Sequence, residues 1–271
     1  MRKVAQKIYD RIDNDLYHAD GDRWWQPDSP LYLIQSSVNP ARVGYFKKKL
    51  FAELKMNPQG KTALDVGCGG GILCEEIARL GFAVTGIDPS EHSLRIAAGH
   101  AQAGGLRITY EQGSGEAIPY RDHSWDIVFC CDVLEHVRDV PKVIAEISRV
   151  LKPGGVFCYD TLNRTFLSKL VAINISQTWK RWAFAPPDIH VWEMFIKPQE
   201  MKSLLGQYNL EWKEHRGMRP NVSALKFLGC LRQRARGVLT YKELGERLFA
   251  VESSNLGIMY IGYAIKGGAT K

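Results

Sequence analysis

The chain has 271 residues, 45% of them hydrophobic, and a formal net charge of +7. That is enough apolar material for a full core in one large α/β domain, and no second independent domain is required. No apolar run reaches the ~18 residues of a membrane span, and the first residues mix charges with isolated apolar positions, so a signal-peptide core is excluded; the chain reads as a soluble, unprocessed cytoplasmic protein.

In chain order, residues 3–18 predict a helix, WWQPDSPLY a proline-broken loop, and residues 40–54 a second helix, so positions 1–57 read as an N-terminal helical cap and 58–271 as the main domain. From residue 62 the pattern changes. TALDVG, FAVTGID, RITYEQ, WDIVFCC and VFCYDT read as strands, rich in β-branched or aromatic residues and mostly closed by glycine or aspartate. Between them Leu73, Ile77 and Leu80 form one core-facing helix stripe, and Val140, Val143, Ile144, Ile147 and Leu151 another, stopped by KPGG at 152–155. A helix near 198–206 and strands near 209–216 and 256–265 follow. Strand and helix alternating at this spacing predict a Rossmann-like, doubly wound, mainly parallel sheet of seven strands. Two stretches fall outside the repeat: an aromatic and basic insertion at 161–196, and a basic segment at 217–248 between the last strands. The six cysteines, Cys68, Cys74, Cys130, Cys131, Cys158 and Cys230, form no CxxC pair and read as small core residues of a reducing compartment.

LDVGCGGG at 64–71 joins the first strand to the first helix of the sheet, where open parallel sheets bind ligands. A dinucleotide fingerprint starting at Gly67 would need glycine at 72, which is Ile72. What remains is a glycine turn carrying its own acid, Asp65, with a second acid, Asp88, ending the next strand and able to accept ribose hydroxyls. An acidic turn suits a cation better than a pyrophosphate, and S-adenosylmethionine is a nucleoside with a sulfonium, an ammonium and no phosphate.

This pattern resembles the class I S-adenosylmethionine-dependent methyltransferases. The resemblance implies a cofactor set of Arg42, Asp65, Gly67, Gly69, Asp88, Pro89, Ser114, Gly115, Glu116 and Cys131, with Ser114 standing where such enzymes often have an aspartate for the adenine amino group. More specifically, RWW at 23–25, NPARVGYF at 39–46, LDVGCGGGIL at 64–73, LEHV at 134–137, TLNR at 161–164 and HVWEMFIKPQE at 190–200 resemble the ubiquinone-biosynthesis O-methyltransferases. That resemblance implies methylation of a phenolic, catechol or quinol hydroxyl, on an acceptor that carries a polyprenyl tail in that family. It makes residues 161–196 a substrate lid, and Asp132, Glu135 and His136 of CDVLEHV ligands for magnesium or another divalent cation, with aspartate in place of the usual first glutamate. Such a cation would stabilise a phenolate as a Lewis acid. His136, Glu135 and His190 are then the catalytic candidates for proton transfer.

Phe166, Trp179 and Trp182 among Lys169, Lys180 and Arg181 suit either a lid over the pocket or a peripheral contact with the inner face of a membrane. The segment 217–248, with Arg219, Lys226, Arg232, Arg234 and Arg236, poses the same choice and shows little of the resemblance. No nucleic-acid-binding module accompanies it, so no nucleic-acid partner is expected. Two alternatives stay open: a natural-product methyltransferase acting on nitrogen, carbon or sulfur, and a non-catalytic cofactor-binding protein.

Overall fold

A computed structural model of the protein describes residues 4–14 and 23–268. Among the described residues eight strands form one sheet: β1 (Thr62–Val66), β2 (Ala83–Asp88), β3 (Ile108–Gln112), β4 (Trp125–Cys130), β5 (Leu151–Leu162), β6 (Leu210–Pro220), β7 (Ala250–Ser253) and β8 (Met259–Lys266). Their order is β3-β2-β1-β4-β5-β8-β6-β7. β1 to β5 are mutually parallel, and β8 enters antiparallel between β5 and β6. The chain reverses its direction of travel across the sheet between β1 and β4, which opens the crevice there at the carboxyl ends of the strands.

The doubly wound reading holds, but the sheet has eight strands and not seven. The extra strand, β7, has four residues and pairs on one side only, from Gly217↔Ser253 to Pro220↔Ala250. AVES is too short to show an alternating pattern, so pairing with a distant partner and not local propensity defines it. Leu151, counted above as the end of a helix stripe, instead opens β5: the helix Val140–Val150 stops one residue earlier, and KPGG lies within the strand.

In the cap, the described part of the expected first helix holds a single turn, Gln6–Tyr9, and residues 15–18 lie outside the described residues. The second helix starts earlier than expected. A π-helical stretch Ile34–Val38 runs into the α-helix Asn39–Lys47 and then a second π-helical stretch, Lys48–Glu53.

Both sheet faces are covered, which is why the strands read as nearly unbroken apolar runs. Val128, Cys130, Phe157 and Tyr159 pack against the helices Val140–Val150 and Pro198–Gln207. Ile127, Phe129, Val156 and Cys158 pack on the other side, against Tyr45, Phe46 and the helix Ile72–Arg79. A third apolar cluster lies apart from both: Ile175 of the 161–196 stretch meets Cys230, Leu231, Leu239, Leu244 and Leu248 of the basic segment. That segment carries two helices, Ala224–Ala235 and Tyr241–Arg247, between the paired strands β6 and β7. All six cysteines are free and buried.

At the end of the sheet opposite the crevice, Asp126 ties β1 to β4 and β5. It accepts from the Thr62 backbone at 3.1 Å and pairs with Lys61 at 2.9 Å and Lys152 at 2.7 Å. Burial alone would raise its pKa, but the hydrogen bonds from Lys152, Lys61 and Thr62 outweigh it and hold the carboxyl well below the usual range. A depressed carboxyl stabilises the fold fully above its unfolded pKa of ~3.9, and that contribution is lost as pH falls through the folded value. Asp126→Asn should therefore cost about 1–2 kcal/mol at neutral pH, less than a sealed ion pair because both lysines are partly solvated, and should flatten the acid limb of stability between pH ~4 and ~2 in urea titrations.

Candidate active site

The glycine turn closes on its neighbours through bare backbone. Gly67 has φ 75°, and a Cβ there would lie 2.4 Å from a methyl group of Val133. The Gly69 N–H donates to one Asp88 oxygen at 2.9 Å and the Ser90 N–H to the other at 2.8 Å, so the acid at the end of β2 is held rigid. Asp65, at the end of β1, is buried and accepts from the Cys74 thiol at 3.2 Å. Burial pushes its pKa up to about 7, with Asp88 and Asp160 adding to the rise and Cys74 and Arg42 opposing it.

These groups open on a cavity of about 310 Å³. Every residue of the expected cofactor set lines it except Gly69, which is roofed by an indole: Arg42, Asp65, Gly67, Asp88, Pro89, Ser114, Gly115, Glu116 and Cys131 are all in its wall. The Ser114 hydroxyl accepts from the Glu116 N–H at 3.2 Å, and Glu116 in turn accepts from the Asp139 N–H at 2.8 Å, which orients that rim. An S-adenosyl nucleoside fits this wall: glycine backbone that a Cβ would fill, two buried acids for hydroxyl and cationic groups, and apolar Ile72 and Val133 in the same lining.

The indole roof was not singled out from sequence. Trp24 lies over Gly69 and Gly70 and donates to Ser93 at 3.0 Å. Trp25 donates to the Gly70 carbonyl at 2.9 Å and stacks on His100 with ring centroids 3.5 Å apart. RWW was therefore a legible signal with an unassigned purpose. An added Cβ at Gly70 would stand 2.3 Å from the Trp24 ring. Gly70→Ala should displace the roof, lower stability by about 1–3 kcal/mol, and shrink the rise in melting temperature caused by S-adenosylhomocysteine.

At the centre, Arg42 is only 2% exposed and reaches two acids. Its Nε donates to Asp160 at 2.5 Å, one Nη donates to the other Asp160 oxygen at 3.2 Å, and the same Nη pairs with Asp132. The Asp132 N–H donates to Asp160 at 3.0 Å. Asp160, fully buried near the end of β5, is another residue that sequence reasoning missed; an acid inside the apolar run VFCYDT was the available signal. Burial and Asp132 raise its pKa while Arg42 opposes them.

CDVLEHV is a turn and not a helix start. Asp132 sits at φ 54°, left-handed backbone that aspartate tolerates better than most residues, and this turns its carboxylate toward Arg42. Of the three residues expected as metal ligands, Asp132 is thus ion-paired elsewhere. The ligand atoms that come together belong to Glu135, His136 and His190, all within 4.8 Å of one another. Thr161 donates to Glu135 at 2.7 Å. Burial pushes the Glu135 carboxyl up to about 8, and the Asp132 charge adds to the rise. Burial, and then the neighbouring His190, pulls His136 below its ordinary value. His190 is pulled down to about 4 by burial, against the attraction of Asp132, so both rings are neutral near pH 7. The two imidazoles lie 5.0 Å apart, Gln177 accepts from the His190 backbone N–H at 2.9 Å, and His190 Nδ1 is buried with no hydrogen-bond partner among the described residues.

A second cavity, of about 290 Å³, abuts the first and shares Ile34, Asp132 and His136 with it. His190 lines only this one. Its remaining wall is mostly apolar and comes from the N-terminal segment, the 161–196 stretch and the basic segment, for example Leu33, Val171, Phe184 and Phe227.

Residues 64–159 match the family model described as a methyltransferase domain. The chain is 32% identical to the ubiquinone biosynthesis O-methyltransferase of Azorhizobium caulinodans over 224 residues, covering 80% of this chain and 87% of that protein. It is 35% identical to the protein of the same name from Caulobacter vibrioides over 206 residues, 72% of this chain and 79% of that one. In fold it is similar to the crystal structure of magnesium protoporphyrin IX methyltransferase from Synechocystis PCC 6803 with bound SAH, with a TM-score of 0.62 and 19% identity over 93% of this chain and 97% of that chain. A glycine turn without the dinucleotide register, a rigid acid at the end of β2 and relatives alike over most of their length converge: the chain is an S-adenosylmethionine-dependent methyltransferase and belongs to the ubiquinone biosynthesis O-methyltransferase family.

Proposed function

We propose that the protein methylates a hydroxyl oxygen of a phenolic, catechol or quinol acceptor, polyprenylated in the reading closest to its relatives. The observation that carries the proposal is the junction of the two cavities at Asp132 and His136, with His190, neutral and with no hydrogen-bond partner at Nδ1 among the described residues, lining the apolar one. S-adenosylmethionine supplies an activated methyl group, so the protein's own contribution is alignment and proton removal.

In this reading Asp88 takes the ribose hydroxyls, Asp65 and the glycine turn hold the amino-acid end, and the rim Ser114–Glu116 borders the adenine. Arg42 positions Asp132 and the turn that follows it. The acceptor hydroxyl lies at the shared wall, and its proton passes to His190 or His136 as the oxygen–methyl bond forms and the sulfur–methyl bond breaks. The products are a methyl ether and S-adenosylhomocysteine. Glu135, held by Thr161, lies beside both imidazoles, and its ionised form, which builds up as pH rises through about 8, stabilises the ring that receives the proton.

The same three groups suit a divalent cation: two neutral imidazoles and one carboxylate whose burial a positive charge would offset. Held there by Glu135, His136 and His190, a cation such as magnesium or zinc would lower the pKa of the acceptor hydroxyl from its ordinary ~10. No helix among the described residues is long and apolar enough to cross a membrane. Exposed Phe166, Leu167 and Trp179 of the lid, near Lys169 and Lys180, support a peripheral contact with an anionic bilayer.

Methyl transfer from S-adenosylmethionine to a catechol panel, with and without chelator, tests the reading. Turnover of catechols is the expected result; cofactor binding with no turnover of any hydroxyl acceptor would move the activity to another acceptor atom. Activity removed by chelator and restored by one divalent cation would support the metal, whereas indifference to chelator would leave Glu135, His136 and His190 as a proton-transfer group alone.

A further inference from the structure

We infer that the basic segment and the lid together form a chamber that selects the acceptor by the length of an apolar substituent, through Phe227, Leu244 and Leu248. The inference rests on the proposed O-methyl transfer only for the identity of the acceptor's reacting end.

Asp132 and His136, shared with the cofactor cavity, and His190 bring titratable groups to one part of the second cavity; Ser37, Ser176 and Arg219 are the other polar residues of a wall that is otherwise largely apolar. Phe227, Leu244 and Leu248 line it and have no part in the first cavity. Leu244 and Leu248 belong to the third apolar cluster, in which Ile175 packs with residues of the basic segment, and the partly buried Phe227 packs against it. An acceptor that satisfies both ends therefore has a hydroxylated ring at one end and hydrocarbon at the other.

The chamber wall is braced against rigid neighbours. Thr240 caps the helix Tyr241–Arg247, its hydroxyl accepting from the Glu243 N–H at 3.2 Å while Glu243 accepts from the Thr240 N–H at 2.8 Å. Gly245 lies so close to Ser36 that a Cβ would stand 1.9 Å from its hydroxyl. Ser37 donates to the Leu248 carbonyl at 3.1 Å, and the Lys242 N–H donates to the Pro27 carbonyl at 2.9 Å. Arg234, one of the basic residues that suggested an anionic partner, is used internally: it pairs with Asp28 at 3.0 Å and lies 3.9 Å over the Tyr241 ring. A wall fixed at both ends gives a chamber of set size. About 290 Å³ is on the order of ten water volumes, room for a ring and a short hydrocarbon chain.

The test is a series of 4-alkylcatechols from methyl to dodecyl, assayed with the full-length protein, wild type, Leu244→Phe and Phe227→Ala. In the wild type kcat/KM should rise about fourfold for each methylene that enters the chamber and then level off. Leu244→Phe should level off at a shorter chain and Phe227→Ala at a longer one, shifting the ratio of long-chain to methylcatechol kcat/KM by tenfold or more in opposite directions. A wild-type ratio independent of chain length overturns the chamber, as does the same break point in all three proteins. If no catechol turns over, the acceptor reading fails separately. Calorimetric affinities of the same series still decide the chamber then: affinity that climbs and breaks at variant-dependent lengths supports it, and flat affinity overturns it.

Discussion

Replacing Arg42 with methionine is expected to lower the unfolding free energy by about 3–5 kcal/mol, the cost of leaving buried charge uncompensated. Asp160 is fully buried and receives two of the guanidinium's hydrogen bonds, and Asp132 the third. Methionine fills much of the volume but donates nothing. With Arg42 present, burial already holds the Asp160 carboxyl up to about 6. Without it that pKa rises further, so the folded variant binds more protons than the unfolded chain and its stability falls as pH rises through the neutral range. The gap between variant and wild type in urea unfolding should therefore widen from pH 5 to pH 8. Asp160→Asn in the Arg42→Met background should recover part of the loss, since a neutral amide is cheaper to bury than a carboxylate. Equal losses at both pH values, with no recovery in the double variant, would mean that the methionine acts through packing alone.

Glu135→Gln is expected to reduce kcat by about 10²- to 10⁴-fold, the range for removing a group that works in proton transfer. The amide can still accept from Thr161, so geometry is largely kept while the negative charge beside His136 and His190 is lost. Because burial holds Glu135 up to about 8, the wild-type enzyme should gain activity as pH rises through that value and the carboxylate forms. The variant's residual activity should lack that rise. Stability runs the other way: a carboxyl whose folded pKa lies above its unfolded ~4.3 binds extra protons when folded, so stability declines as pH climbs from ~4.3 to about 8. Glu135→Gln should flatten that decline. Rate profiles from pH 6 to 9.5, with urea unfolding at pH 5 and 8, check both; an unchanged rate profile in the variant would remove Glu135 from the chemistry.

Much of this protein is legible in its residues. The runs TALDV and WDIVFC are buried on both faces of the sheet, so their apolar continuity marks them as central strands without any knowledge of their partners. The glycine turn and Asp88 are linked by short-range backbone geometry, and the failed dinucleotide register at Ile72 pointed away from a phosphate ligand. The β7 edge strand was hidden because four residues carry no period, and the helix end at Val150 because Leu151 suits either element. Trp24 and Trp25 were conspicuous, yet nothing local says that they fold back onto Gly69 and Gly70.

What sequence alone determined is the part built from near neighbours: the alternating strands and helices, the cofactor turn, and the acid at its expected spacing. Tertiary structure decided the partners of the polar groups. Asp132 was a plausible companion for Glu135 and His136 by spacing, but Arg42, 90 positions away, takes it, together with Asp160, 118 positions from that same arginine. His190 joins Glu135 and His136 from the 161–196 stretch, and that stretch packs on the basic segment through an apolar cluster. Charge pairing and apolar packing depend on separation in space, which the folded chain sets by bringing distant strand ends, cap and insertions to one side of the sheet.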